Sequence, residues 1–213
     1  FPLPVTVAAV RALNQAGVIL FEYGYGRSAL PLYERALELA YRCEPQEEEC
    51  IATLQNNLGQ VRLHLGEPGP AQAHLAIAVE IRRRISPGSI VLASACDNLG
   101  SVLAARSDPQ AAEALHREAL EMFERLAGPF DGHVATALGN LAGVLAARNE
   151  PRHALACQLR ALDIWQRSDR PLNSGLVLAL ANLANRYLDN GDLLHADRVV
   201  DRKSTRLNSS HTD

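Results

Sequence analysis

An amide side chain returns at nearly constant spacing along this chain, and that spacing constrains the fold more than any other feature. The amides follow one another at steps of 42, 41, 42 and 42 residues, at Gln15, Asn57, Asn98, Asn140 and Asn182. Two residues after each amide comes a small residue: Gly17, Gly59, Gly100, Ala142 and Ala184. Self-similarity at a fixed period indicates a stack of similar supersecondary units.

Two lines of alanine keep the same period. The first consists of Ala29, Ala71, Ala112, Ala154 and Ala196, and the second, seven residues on, of Ala36, Ala78, Ala119 and Ala161. Helix-breaking residues separate each amide from the first alanine, at 24–26, 66–69, 107–109, 149–151 and 190–192. Each unit is therefore predicted to be a helix, a short turn and a second helix, with small residues where the two helices approach closely.

Composition favours the same all-α class. Hydrophobic residues make up 47% of the 213 residues, and aromatic residues only 5%. The apolar content is mainly Ala and Leu, which are good helix formers. One hairpin cannot bury both of its apolar faces, so the units are predicted to stack into a continuous core. Proline or glycine marks the predicted linkers between units, at Pro45, Pro87–Gly88, Gly128–Pro129, and Pro171 with Gly175.

The unit resembles the tetratricopeptide repeat. The resemblance rests on four features in order: Asn-Leu-Gly, the turn, the small residue and the Ala-Leu. The 42-residue period, ALPLYERALEL at 29–39 and GPFDGHVATALGNLA at 128–142 resemble the longer kinesin light chain-like subclass. The resemblance implies an α-solenoid, a right-handed superhelix of about five helix-turn-helix repeats over residues 5–200. The expected units are 5–43, 50–85, 91–127, 133–168 and 175–200, the last truncated; the first departs from the pattern with Gln15-Ala16 in place of Asn-Leu.

In tetratricopeptide repeats the first helix of each unit lines a concave groove, so the resemblance implies a groove that binds a protein or peptide. The expected partner-binding residues are Asn14, Asn56, Asn57, Gln60, Asp97, Asn98, Ser101, Thr136, Asn140, Asn182 and Asn185. Other floor positions include Arg11, Val18, Phe21, Glu22, Thr53, His64, Ser94, Ala105, Gly139, Gly143, Ala147, Leu178, Ala181 and Asp189. Small residues in the third and fourth units place the deepest expected contact near 97–143.

Two roles remain open for the periodic asparagines. An amide offers donors and an acceptor together, so it could bind an extended peptide backbone. It could also bond a carbonyl of the neighbouring repeat and set the stacking geometry, which we expect to be the primary role. The predicted floor contains no lysine, and Arg11 is its only cation. A clamp for a ligand carboxylate is therefore not expected. Arg106 and Arg148 suit helix C-termini better than the steering of an acidic ligand.

Other chemistry finds little support. A net charge of −3 does not indicate nucleic acid, and no apolar stretch approaches the ~20 residues that span a bilayer. His153 and Cys157 share a helix face, and Cys43 and Cys50 flank an acidic linker, but neither pair makes a metal site or predicts a disulfide on its own. We therefore expect no enzyme, no cofactor, no metal and a cytoplasmic scaffold. The alternative is a regulatory or sensor segment of a larger enzyme, signalling protein or transcription regulator.

The two ends of the sequence are set apart. Residues 201–211 read DRKSTRLNSSH, the codon-by-codon translation of a common sequencing adapter, so we interpret 201–213 as a non-native tail rather than a genuine polar one. The chain opens on Phe1 instead of Met, and we expect its natural N-terminus, with or without a signal peptide, to lie upstream.

Overall fold

The computed structural model describes residues 7–43, 47–167, 174–189, 191, 192 and 195, which contain α-helices and no strand. The helices are α1 Val7–Glu22, α2 Gly26–Tyr41, α3 Glu48–His64, α4 Pro68–Ile85, α5 Ile90–Ala105, α6 Pro109–Ala127, α7 Gly132–Ala147, α8 Pro151–Arg167 and α9 Ser174–Asp189. The predicted tail, Ala196, Pro45 and Pro171 lie outside the described residues.

The helices group into two compact parts, residues 1–108 and 109–213. In the N-terminal part α1 packs on α2 and α3 on α4, and the successive pairs α2–α3 and α4–α5 are also in contact. In the C-terminal part α7 packs on α8, while α6 lies against α7 and α8 against α9. Within each part, every helix therefore packs against the helices that precede and follow it in sequence, as expected for stacked helical hairpins.

The first helix of every hairpin ends in the same way. After α1, the amide N–H of Tyr25 donates to the carbonyl of Leu20 at 2.8 Å and that of Gly24 to Phe21 at 2.9 Å. This is the Schellman arrangement, which requires a left-handed residue just past the helix. The left-handed residues are Gly24, Gly66, Ser107, Asn149 and Gly191, all at one position of the repeat.

Prolines open most of the second helices. Pro68, Pro109 and Pro151 are the first residues of α4, α6 and α8, although the sequence pattern placed them in turns. That prediction was wrong because the first helical residue needs no intrahelical N–H bond, so a proline fits there with its φ already set. Gly26 likewise begins α2, and Gly175, expected in a linker, is the second residue of α9.

The alanine lines form the contact between helices. Ala29, Ala71, Ala112 and Ala154 are fully buried, and Ala36, Ala78, Ala119 and Ala161 are at most 1% exposed. A Cβ added at Gly17 would lie 2.6 Å from Tyr33 Cε1, and one at Gly59 would lie 2.4 Å from Leu75 Cγ. The small residues are therefore required by the close approach of the two helices within the first and second hairpins.

Candidate functional site

The predicted groove residues lie on the first helices, and most of them are half-buried. In the N-terminal part Asn14, Asn56, Asn57, Gln60, Asn98 and Ser101 are all half-buried on α1, α3 and α5. Asp97 differs, since only 7% of its surface is exposed. In the C-terminal part Thr136 and Asn185 are exposed, and Asn140 and Asn182 are half-buried, on α7 and α9. We call these sets, together with Ser94, Gly139, Gly143 and Ala147 of the predicted floor, the first-helix face of each part.

Asparagine amides connect the first helices of the N-terminal part. Asn57 Nδ2 donates to Asn14 Oδ1 at 2.9 Å, and Asn98 Nδ2 donates to Asn56 Oδ1 at the same distance. The acceptor is in each case the side chain one residue before the periodic amide of the preceding repeat. The expected structural role is thus present, but through a side chain rather than through a backbone carbonyl. Each contact uses one N–H and one lone pair, so both amides keep further hydrogen-bonding capacity.

The hydroxyl groups of the face bond within their own helices. Ser94 Oγ donates to the Ile90 carbonyl at 3.0 Å and Ser101 Oγ to the Asp97 carbonyl at 3.1 Å. In the C-terminal part Thr136 Oγ1 donates to the Gly132 carbonyl, also at 3.0 Å. Because a hydroxyl has only one proton to donate, these groups offer a ligand their lone pairs. The face is therefore rich in hydrogen-bond acceptors.

Two glycines leave the middle of α7 without side chains on this face. Gly139 is half-buried and Gly143 exposed, and a Cβ built at either position would meet no atom within 4 Å. Thr136 and Ala147, both exposed, continue the same strip of the helix. Unlike Gly17 and Gly59, these glycines are not required by packing against a neighbouring helix in the part of the chain that the structure describes.

Arg82 is a residue of this region that the sequence prediction missed. It lies on α4, is 5% exposed, and donates through Nη2 to Thr53 Oγ1 at 2.7 Å and through Nη1 to Glu49 Oε1 at 3.3 Å. Arg11 is thus not the only cation bordering the predicted floor. A signal was available, because Ala40, Phe123 and Trp165 hold the equivalent positions and Arg82 alone is charged. Because Arg82 is already paired with Glu49, it does not change the expectation that the groove lacks a carboxylate clamp.

Arginines end α5 and α7. Arg106 and Arg148 are the C-cap residues, and their backbone N–H groups close the last turn of each helix. Arg148 also forms ion pairs with Glu113 and Glu150, and Glu113 in turn accepts from Arg117 Nη2 at 2.6 Å. Both arginines thus lie at helix ends as the sequence indicated, and the interaction of their charge with the helix dipole stays a prediction.

Cysteine and histidine chemistry stays minor in the described part of the chain. Cys43 and Cys50 line a small apolar cavity with Val7 and Val10, and all four cysteines are free thiols. Burial raises the pKa of Cys50 and of Cys157, which disfavours the reactive thiolate. Within the described residues no three His, Cys, Asp or Glu side chains are grouped as a metal site would need, and His153 pairs with Glu150. No helix among these residues has the length and apolarity to cross a membrane.

The fold defines the class of protein, an all-α repeat solenoid. Two family models, each described as tetratricopeptide repeat, match residues 50–125 and 134–168, together more than half of the chain. The chain therefore belongs to the tetratricopeptide repeat family. Repeats of this family are in general non-catalytic scaffolds for protein–protein interaction. No curated protein gives a significant match to this sequence.

Solved structures share the fold at low sequence identity. BtubC (BKLC) from P. vanneervenii is 24% identical with a TM-score of 0.83, over 97% of this chain and 82% of that one. The nearly identical TPR-like repeats of a Podosopora anserina protein described as a kinesin light chain are 14% identical with a TM-score of 0.75, over 96% and 97%. A Rap protein complexed with Competence and Sporulation Factor is 16% identical with a TM-score of 0.82, over 94% of this chain and 54% of that one. The kinesin light chain-like resemblance thus extends to the fold.

Proposed function

We propose that the chain is a protein-interaction scaffold that holds an extended segment of another polypeptide along the first-helix face. The main support is that α7 has no side chain on this face at Gly139 and Gly143. A glycine inside a helix costs about 1 kcal/mol relative to alanine, and no packing contact among the described residues requires glycine at either position. A ligand backbone that must come close to α7 gives these two glycines a physical reason.

The hydrogen-bonding character of the face supports the same class of ligand. Ser94, Ser101 and Thr136 present lone pairs, because their protons are used within their own helices. The asparagine amides add both donors and acceptors. A peptide backbone displays N–H and C=O groups whatever its side chains, so this mixture suits an extended segment better than it suits a carboxylate or phosphate.

The similarity to the Rap protein is consistent with this proposal, since that protein was solved complexed with Competence and Sporulation Factor. The array is proposed to run over 5–200, without 201–213. The proposed contact residues remain the asparagines and small polar residues of the first-helix face, with Asp97 contributing least because it is buried.

Replacing both glycines by alanine separates binding from stability. The double variant Gly139→Ala/Gly143→Ala should raise the melting temperature, because each position gains helix propensity and has open space for a methyl group. The same methyl groups should block close approach of a ligand. Peptides selected from a displayed random library against the unaltered chain should therefore bind the double variant at least ~10-fold more weakly, which corresponds to about 1.4 kcal/mol.

The matched control adds an atom elsewhere. Ala156 is an exposed alanine on α8, so Ala156→Ser enlarges the surface of a second helix and should leave peptide affinity unchanged. Selected peptides that bind the stabilised double variant as tightly as the unaltered chain would remove the α7 face from the function.

A further inference from the structure

The outer face of α1 is apolar and exposed. It consists of four residues of α1 and the residue that directly follows the helix, whose N–H still bonds to the Ile19 carbonyl. They are spaced by four, three, four and four positions, and such spacing places them on one side of a helix: Ala8, Ala12, Gln15, Ile19 and Tyr23. All five are exposed, Ile19 by 46% and Tyr23 by 77%. An end repeat that only closes an array carries a polar outer face, which this one does not.

The same register positions on α3 form an interface. Leu54 and Val61, which correspond to Ala12 and Ile19, are fully buried in a cluster with Ala29 and Tyr33 of α2. The corresponding residues of α7, Ala137 and Val144, are also buried. This stripe is therefore the surface by which a first helix receives the hairpin that precedes it in sequence.

Gln15 stands at the donor position of that interface. On α3 the equivalent amide is Asn57, which donates to Asn14 of the preceding hairpin. Gln15 offers the same N–H donors from an exposed position on the outer face of α1. In internal interfaces this polar group is satisfied by an asparagine of the neighbouring hairpin.

The sequence ahead of α1 has the register of an inter-repeat linker. Pro4 precedes Gln15 by eleven residues, the same interval that separates Pro87, Pro129 and Pro171 from their periodic amides. The linker that joins α4 to α5 carries Pro87 between two hairpins in contact. The spacing of Pro4 from Gln15 is thus typical of a hairpin at an internal position of the array.

We propose that the outer face of α1 is the docking surface for a further helical hairpin of the same design, continuous with this polypeptide ahead of α1. That hairpin covers Ile19 and Tyr23 as α2 covers Leu54 and Val61. Its first helix carries Asn or Asp one position before its own periodic amide, where it accepts from Gln15. The partner is defined by the geometry of the interfaces inside the chain.

The test extends the full chain by its own second repeat. A copy of residues 47–88 is joined ahead of Thr6 in place of residues 1–5, which puts the copied Asn57 41 residues before Gln15, the spacing between Asn57 and Asn98. The extended chain should melt about 5 °C or more above the parent, because the outer face is now buried. Ile19→Glu should abolish that gain.

Controls make each outcome decisive. In the parent, Ile19→Glu should change the melting temperature by less than about 1 °C, since an exposed side chain contributes little. Ser28→Glu, an exposed position on α2, should leave the gain of the extended chain intact. The proposal is overturned if the extension gives no stabilisation, if Ile19→Glu lowers the melting temperature of the parent, or if the parent is a dimer that Ile19→Glu dissociates.

Discussion

Asn57 Nδ2 donates a 2.9 Å hydrogen bond to Asn14 Oδ1, across 43 positions of sequence and between the first helices of two successive hairpins. Asn98 repeats the contact with Asn56 one repeat later. The interface between the first two hairpins also contains apolar contacts and two further polar ones, from Gln55 to Tyr41 and from Arg62 to Glu34. The asparagine contacts differ in that they recur between first helices. A slip of one hairpin against the next would leave these amides unpaired, so the contacts favour a single stacking register.

The amide pair should behave as a coupled unit. In a double-mutant cycle of Asn14→Ala and Asn57→Ala, measured by urea unfolding, we expect a coupling free energy of about 1 kcal/mol, because either single change already breaks the bond. Asn14→Ala combined with Asn98→Ala is the control, since Asn98 bonds to Asn56 instead. Additive behaviour of Asn14→Ala and Asn57→Ala would show that the bond contributes nothing to stability.

The turns after α5 and α7 should accept glycine with a gain in stability. Ser107 and Asn149 hold φ values of 63° and 64°, where Gly24, Gly66 and Gly191 stand in the other repeats. Ser107→Gly should raise the free energy of unfolding by about 0.5–1 kcal/mol, and Asn149→Gly by less, because asparagine tolerates this conformation better than serine. Gly66→Ala, the reverse change, should be destabilising. Thermal and urea unfolding of the three variants check the order.

Gly59→Ala should destabilise the second hairpin even though alanine is the better helix former. Its Cβ would lie 2.4 Å from Leu75 Cγ, so α3 and α4 must move apart or Leu75 must leave its rotamer, at a cost of about 1–3 kcal/mol. The clash is relieved in a chain that already carries Leu75→Ala. Gly59→Ala should therefore lower the free energy of unfolding less in that background than in the unaltered chain. The contrast with Gly139→Ala, where space is open, tests whether packing or propensity decides.

Acidification should weaken the fold through His74. Burial, with help from the Arg62 charge, lowers the pKa of His74 below its ordinary value of 6.5, and Glu34 opposes this shift. The unfolded chain then binds the proton more readily, so this stabilisation is present above about pH 6.5 and is lost as the pH falls through the folded-state pKa.

The measurement compares melting temperatures at pH 7.5 and 5.5. His74→Gln should reduce the difference between the two values, because the group that gains a proton on unfolding has been removed. His153→Gln, which removes an exposed imidazole, serves as the control. An unchanged pH dependence in His74→Gln would contradict the assignment.

The sequence was sufficient for the features that recur. The alanine lines and the amide period report directly on helix contacts, so the all-α repeat class and the burial of residues such as Ala71 and Ala78 could be predicted from spacing alone. The prolines were harder to place, because the same residue that ends one helix also begins another at its first position. Pro68 and Pro109 therefore read as turn residues although they lie in helices.

The candidate site was predicted less completely. Spacing marked the periodic asparagines but not their acceptors, because the pairing of Asn57 with Asn14 depends on how far one hairpin is displaced against the next. Arg82 was missed because it lies on a second helix and reaches Thr53 of the first. Such contacts depend on the three-dimensional offset between helices, which a list of equivalent positions does not contain.

The glycine at 139 has a consequence for how the array comes apart. It occupies the position at which Asn14 and Asn56 accept, so α7 offers α9 no side chain for an equivalent bond. The last described helix is held instead by a small apolar cluster around Leu162 and Leu183 and by the buried Gln158 amide, which donates to the Ala179 carbonyl at 3.1 Å. Under force or heating, the chain should begin to unfold at the contact between α9 and the preceding hairpin. The hairpins joined by an asparagine pair should stay packed together longer.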